Sequence, residues 1–115
     1  MKHLDNLCYL IGGIDADNTK VYFDGDTEAP KESLKVPTID LCKMAINSVP
    51  QGGINPEMMY NRLQVLTVLE TQKNDEQFIF EDSQYKTLLE CVNQLQFARI
   101  EAAFLDFINR VKKAG

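Results

Sequence analysis

The chain has 115 residues, a hydrophobic fraction of 44% and a formal net charge of −5 at pH 7. This length is enough for one domain with its own core and too short for two, so a single domain over residues 1–115 is expected. A net negative protein repels the phosphates of nucleic acids, which argues against direct binding to DNA or RNA. No stretch approaches the roughly 20 apolar residues of a membrane-spanning helix, so no membrane partner is expected.

The first 36 residues are predicted to be rich in β-structure. The continuous apolar run 7–11 is typical of a strand that is buried on both faces, and two glycines end it. The β-branched and aromatic residues 21–23 predict a second strand. Residues 33–36 add a short extended piece, because Pro37 disfavours helical backbone at the residue before it.

Residues 37–115 are predicted to be helical. The first helix begins at Thr38, whose hydroxyl is expected to cap it. The second helix has the clearest start, because Asn55 is a preferred N-cap and Pro56 suits the first helical position. It runs to about Thr71. Its predicted inward stripe consists of Met59, Leu63, Leu66 and Leu69, which Val65 and Val68 widen.

The end of the chain predicts two further helices and one more strand. The short apolar segment 78–80 is expected to pair with the N-terminal strands, and a third helix begins near Glu81 or Asp82. Counted at about 100° per residue, the direction of the apolar side chains then shifts by about a third of a full turn around the helix axis. A bend is therefore predicted near residues 96–99, with a fourth helix from about Ala98 to Lys112. The predicted fold is α+β, a small N-terminal antiparallel β unit packed on about four helices.

No pattern of reactive residues is specific to a reaction. His3 is the only histidine; with Cys8 it could activate a thiolate, but it lies beside a terminus expected to be mobile and has no third orienting group. The Asp-rich segments 15–17 and 24–26 lack the glycine and glutamate that a calcium loop requires, so they predict turns. We expect no catalytic residue, no cofactor, no metal and no enzymatic activity. A small enzyme is considered only after two protein-binding roles, which are described below.

The three cysteines are expected to be free thiols. Cys8, Cys42 and Cys91 are far apart in the sequence, and each lies in an apolar pattern. An odd number without a closely spaced pair argues against a disulfide framework and a zinc site. The N-terminal segment does not fit a secretory signal, because Asp5 and Asn6 interrupt its apolar residues. A reducing, intracellular compartment is therefore expected.

The fourth helix carries the candidate binding residues. Its apolar side chains cover more of the circumference than one core stripe, and Leu105 lies about 100° around the helix from Phe104. Such a helix is either deep in a core or presents a second surface to a partner, and both alternatives remain open here. The candidate partner-binding residues are Ala102, Leu105 and Ile108. The expected partner is another protein or a second copy of the chain.

Three segments carry a resemblance to known proteins. In order from Val36 they are VPTIDLCKMAINSVP, GGINPEMMYNRLQVLTVLE and FIFEDSQYKTLLECV. Over about residues 36–111 the chain resembles small phage-encoded proteins of mostly unassigned function, which provide no catalytic residues to transfer. The resemblance implies a virion component or assembly factor that self-associates or binds a protein, in the host cytoplasm or within the virion. The alternative is a phage-encoded regulator that binds and inhibits a host enzyme.

Overall fold

The computed structural model describes residues 1–114, which form five short strands and four helices. The strands are β1 (Lys2–Asp5), β2 (Cys8–Ile11), β3 (Tyr22–Phe23), β4 (Leu34–Pro37) and β5 (Gln77–Phe80). The helices are α1 (Thr38–Asn47), α2 (Pro56–Thr71), α3 (Asp82–Gln94) and α4 (Ala102–Lys113). The N-terminal strands pack against helices, so the predicted α+β fold is confirmed. No helix of residues 1–114 is long and apolar enough to cross a membrane.

The strands form two small antiparallel sheets. β1 pairs with β5, with Lys2 opposite Phe80, and the second sheet has the order β3-β2-β4. The predicted pairing of segment 78–80 with an N-terminal strand is therefore confirmed. The expectation of a mobile N-terminus is wrong, because residues 2–5 form backbone hydrogen bonds with the edge of β5. Asn6 extends this attachment, since its side-chain amide donates to the carbonyls of Lys73 and Asp75 at 3.0 and 2.9 Å.

β2 is covered mainly on one face. Tyr9 and Ile11 are 0% and 5% exposed, whereas Cys8 and Leu10, which alternate with them, are only half-buried. The prediction of a strand buried on both faces is wrong, because β2 lies in an antiparallel sheet with only one face against the common core. The same core contains Phe78 and other buried side chains from β1, β5 and all four helices.

The first two helices begin where the sequence predicts, but their caps differ. Asn55 caps α2 as expected, since its side-chain oxygen accepts a hydrogen bond from the Met58 amide at 2.8 Å. Thr38 is the first residue of α1 and not its cap, which is Pro37. The Thr38 hydroxyl oxygen instead accepts a hydrogen bond from the Leu7 amide at 3.1 Å. This buried hydroxyl therefore joins α1 to the segment between β1 and β2.

The predicted inward stripe of α2 is wrong at two of its four positions. Met59 and Leu63 are each 53% exposed, whereas Val65 and Leu69 are fully buried. The residue that shares their face one turn earlier is Arg62, which is buried as well. The buried face of α2 thus lies at a different angle around the helix axis from the predicted one. The prediction counted apolar residues only and therefore left out Arg62, which is charged but buried.

The predicted bend between the last two helices is confirmed, but α4 begins at Ala102 and not at about Ala98. Residues 95–101 are not helical. Contacts to other parts of the fold hold them outside a helix. The Ala102 amide donates to the Asn18 carbonyl at 2.8 Å, and the rings of Phe97 and Phe104 stack with centroids 4.5 Å apart.

Candidate functional site

The side of α4 that faces the core is narrow. Ala103, Phe107 and Val111 recur every fourth residue and are 2%, 0% and 0% exposed. Side chains at this spacing lie on one face of a helix. The remaining apolar residues of α4 therefore lie on the flanks of the buried face or in solvent.

A polar network fixes α4 to both sheets. The Tyr9 hydroxyl donates to Asp106 Oδ2 at 2.8 Å, and Arg110 Nε donates to the same oxygen at 2.7 Å. Arg110 Nη1 also lies 3.4 Å from Asp5 Oδ2 on β1. Burial, followed by the hydrogen bond to Asp106, raises the pKa of the Tyr9 hydroxyl, so it stays protonated at neutral pH. These contacts determine where the outer side of α4 is placed.

The outer side of α4 forms an apolar groove with the segment that precedes it. This α4 groove has a volume of about 420 Å³. Its lining includes the stacked rings of Phe97 and Phe104, and also Ile100 and Leu105, which are 85% and 61% exposed. Apolar side chains so exposed, gathered around one concavity, are typical of a binding surface.

The loop between β2 and β3 closes one side of the α4 groove. Asn18 and Thr19 belong to its lining. The Asn18 side-chain amide donates to the Ile100 carbonyl at 3.2 Å, and the Thr19 amide and hydroxyl both donate to Asp17 Oδ1. These hydrogen bonds from Thr19 lower the pKa of the Asp17 carboxyl. These hydrogen bonds connect the loop to the segment before α4 and order the loop locally.

One ion pair lies at the edge of the α4 groove. Arg99 Nη2 is 2.8 Å from Glu101 Oε1, and the Glu101 side chain is only 9% exposed. The guanidinium also packs against Gly12, where an added Cβ would lie 3.3 Å from Arg99 Nη2. Gly12 has φ of 73°, which suits glycine. The charge of Glu101 is therefore matched within the chain, and the groove remains mainly apolar.

All three candidate partner-binding residues line the α4 groove. Ala102 and Ile108 are half-buried, and Leu105 is exposed. Of the two alternatives that the sequence leaves open, the structure thus excludes a position deep in the core for Leu105. Binding of a partner by these residues stays a prediction.

The other residues considered for chemistry are separate from the α4 groove. His3 is exposed on β1, and the Asp26 carboxylate accepts a hydrogen bond from the Phe23 amide within a turn, as the sequence predicts. Within residues 1–114, no cluster of three or more histidine, cysteine or acidic side chains is placed to hold a metal ion. Cys42 and Cys91 are buried free thiols, and burial raises the pKa of both.

Sequence reasoning missed two parts of the molecule with functional potential. Phe97 and Ile100 complete the α4 groove, and they lie in the segment interpreted as a bend followed by helix. Arg62 is absent from the predicted core and site residues, although its exposed fraction is only 7%. Its spacing with Val65 and Leu69, three and seven residues later, is the signal that could have placed it on the core face.

Comparisons with protein-family models, with curated proteins and with solved structures found no match for this chain. The resemblance to small phage-encoded proteins therefore stays a prediction.

Proposed function

We propose that this chain is a non-enzymatic protein-interaction module that binds an apolar segment of another protein chain in the α4 groove. The observation that carries this proposal is the exposure of Ile100 and Leu105, 85% and 61%, at the edge of a formed apolar groove. Covering a Leu or Ile side chain contributes about 1.5–3 kcal/mol, so these residues favour association.

The construction of the α4 groove supports binding without large rearrangement. The stacked Phe97 and Phe104 rings and the loop hydrogen bonds to Ile100 and Ala102 already hold its lining in place. A surface that is ordered before binding loses less conformational entropy when a partner arrives. The polar lining residues are Asn18, Thr19 and the ion pair of Arg99 with Glu101. None of them is a histidine, cysteine or lysine, residues that often act as a base or an activated nucleophile, which favours recognition over catalysis.

The biological setting is proposed from the sequence resemblance. It favours a small virion component or an assembly factor of a phage, in the host cytoplasm or within the particle. A groove of this kind fits an apolar segment of a particle protein or of a second copy. The regulator alternative uses the same surface but requires one host enzyme as the occupant.

The test replaces Leu105 by a charged residue. Leu105→Glu should preserve cooperative unfolding and the circular dichroism spectrum, because the new carboxylate stays in water. It should lower the mass measured by light scattering, or abolish co-purification with particle proteins. Leu63→Glu is the matched control, since Leu63 is a leucine of similar exposure, 53%, on α2.

Three outcomes of this test distinguish a particle role, a regulator role and no interaction role for the α4 groove. Loss of self-association or particle binding in Leu105→Glu, with Leu63→Glu unaffected, supports the proposal. Loss of binding to a single host enzyme instead supports the regulator alternative. Unchanged mass and unchanged partner binding in a folded Leu105→Glu variant would overturn the interaction role of the α4 groove.

A further inference from the structure

Arg62 is the one charged residue among residues 1–114 that is buried, with an exposed fraction of 7%. It lies on the core-facing side of α2. Its Nη1 donates to the Ile46 carbonyl at 2.8 Å and to the Ser48 carbonyl. These carbonyls are at the C-terminal end of α1, where the partial negative charge of a helix favours a cation.

Within residues 1–114, the charge of Arg62 has no carboxylate partner, since none of the ion pairs includes it. A guanidinium has five N–H donors, and the two carbonyl contacts of Arg62 use only those of Nη1. Burying an ion without a counter-charge is costly, so a site of this kind is suited to an anion.

Arg62 lines two neighbouring cavities, and its unused donors are not fully enclosed. Its Nε and Nη2 have no acceptor among residues 1–114, and no fully buried side-chain nitrogen or oxygen in this range lacks a partner. Both nitrogens are therefore accessible. The larger of the two cavities has a volume of about 380 Å³, which lies in the range of small-molecule sites, about 300–1,000 Å³.

The other lining residues of this Arg62 cavity are polar but uncharged, or apolar. Three of them are glutamines, Gln51, Gln94 and Gln96, and Val49 and Pro50 are apolar. No aspartate or glutamate lines this cavity, and the exposed Glu90 lines the smaller adjoining one. The cavity thus combines one cation, neutral hydrogen-bonding groups and a small apolar area.

We propose that the Arg62 cavity is a binding site for a small carboxylate-containing molecule. The free N–H groups of Arg62 form paired hydrogen bonds to the carboxylate, which is the geometry that a guanidinium favours. The glutamine amides bind polar groups in the remainder of the ligand. A carboxylate fits better than a phosphate dianion, because the lining contains a single positive charge in a protein of net charge −5.

A role for Arg62 in stability alone does not account for this arrangement. The contacts that complete the end of α1 involve only Nη1. The same residue lines a cavity together with three glutamines, which come from the segment after α1, from the end of α3 and from the segment after α3.

The experiment uses N-acetylglycine as the probe and N-acetylglycinamide as its uncharged counterpart. Each is titrated into the full isotope-labelled chain, and the Arg62 Nε–H and glutamine side-chain signals are followed by nuclear magnetic resonance. N-acetylglycine should shift the Arg62 signal and saturate in the range of about 1 mM or above, as expected for a small fragment. The amide should leave this signal in place. Absence of a saturable shift, or an equal shift with the amide, would overturn the proposal.

A matched pair of variants tests the location without removing Arg62. Gln94→Glu places a carboxylate in the lining, whereas Asn93→Asp adds the same charge at an exposed neighbour that is not part of it. Gln94→Glu should weaken N-acetylglycine binding by about tenfold or more, through competition for the guanidinium. Asn93→Asp should leave the affinity nearly unchanged. An equal loss in both variants, or no loss in Gln94→Glu, would contradict a site at Arg62.

Discussion

Helices α2 and α4 both expose leucine side chains to solvent, but their surroundings differ. Leu63 of α2 lies within an uninterrupted helix of 16 residues. Leu105 of α4 lies beside a non-helical segment whose Phe97 and Ile100 form the other side of a groove. Exposure is similar at the two leucines, 53% and 61%. α4 is the better candidate for binding a partner, because the non-helical segment beside it completes a concave surface that a single helix cannot form.

The buried sides of the two helices differ as well. The buried side of α4 is entirely apolar, and the half-buried Asp106 connects the helix by hydrogen bonds to the core residue Tyr9 and to Arg110. The buried side of α2 contains the cation Arg62 together with Val65 and Leu69. An ion pair between Lys43 of α1 and Glu70 of α2 links these helices at the surface, at 3.1 Å. Substitutions in the buried side chains, in the network and in the ion pair measure how much each contributes to the free energy of unfolding.

The largest effect is expected at the buried side of α2. Leu69→Ala should lower the free energy of unfolding by about 2–5 kcal/mol, because it removes burial and leaves a cavity. Leu63→Ala on the exposed side should change it by about 0.5 kcal/mol or less. Denaturant-induced unfolding of both variants measures the difference. Equal losses of unfolding free energy in the two variants would contradict the burial of Leu69 and the exposure of Leu63.

The sequence predicts the helices better than it predicts which side of each helix is buried. Asn55 and Pro56 mark the start of α2 through local hydrogen bonding and backbone geometry, and the structure confirms both. The inward position of Leu63 depended on counting apolar residues alone. An arginine on a helix is normally in solvent, so the burial of Arg62 could not be predicted without knowing that the carbonyl groups at the end of α1 lie beside it.

The same limit applies to the candidate site. Ala102, Leu105 and Ile108 could be selected because a helical apolar arc is visible in the sequence. The contribution of Asn18 could not, since it lies 82 positions before the Ile100 carbonyl that it contacts. β1 was also missed, because its polar residues give no apolar strand pattern and its pairing depends on β5. Long-range contacts of this kind have no local signature.

A smaller effect is expected from the network that fixes α4. Tyr9→Phe removes the hydrogen bond to Asp106 and should cost about 1 kcal/mol at neutral pH, since Arg110 still pairs with the carboxylate. The raised pKa of Tyr9 gives the pH dependence. Its contribution is present below the ordinary tyrosine pKa, about 10, and is lost as the pH rises above it.

Unfolding free energies of the original chain and Tyr9→Phe, compared at neutral and strongly alkaline pH, measure this dependence. The difference between the two proteins should shrink as the pH rises above about 10. A difference that stays constant or grows would show that the folded state does not favour the protonated hydroxyl.

The smallest effect is expected at the surface contact between α1 and α2. The hydrogen bond and charge of Lys43 lower the pKa of the Glu70 carboxyl, so Glu70 contributes to stability above its unfolded pKa and loses this contribution as the pH falls. Lys43→Ala should therefore raise the pKa of Glu70 toward its ordinary value, with little change in unfolding, because exposed ion pairs contribute little. A pH titration of the Glu70 side chain by nuclear magnetic resonance measures the shift. An unchanged pKa would mean that the two side chains do not interact in solution.

The pairing of β1 with β5 affects how the chain reaches its fold during synthesis. Asp5 contacts Gln77, 72 positions later, and a ribosome that adds about 5–20 residues per second needs roughly 4–15 s to make that interval. Until then β1 has no partner strand, and Leu4 lacks the part of the core that β5, α3 and α4 contribute. The first sheet is therefore completed only after Gln77–Phe80 has left the ribosome, and any shorter nascent chain exposes an open strand edge to chaperones and to other chains.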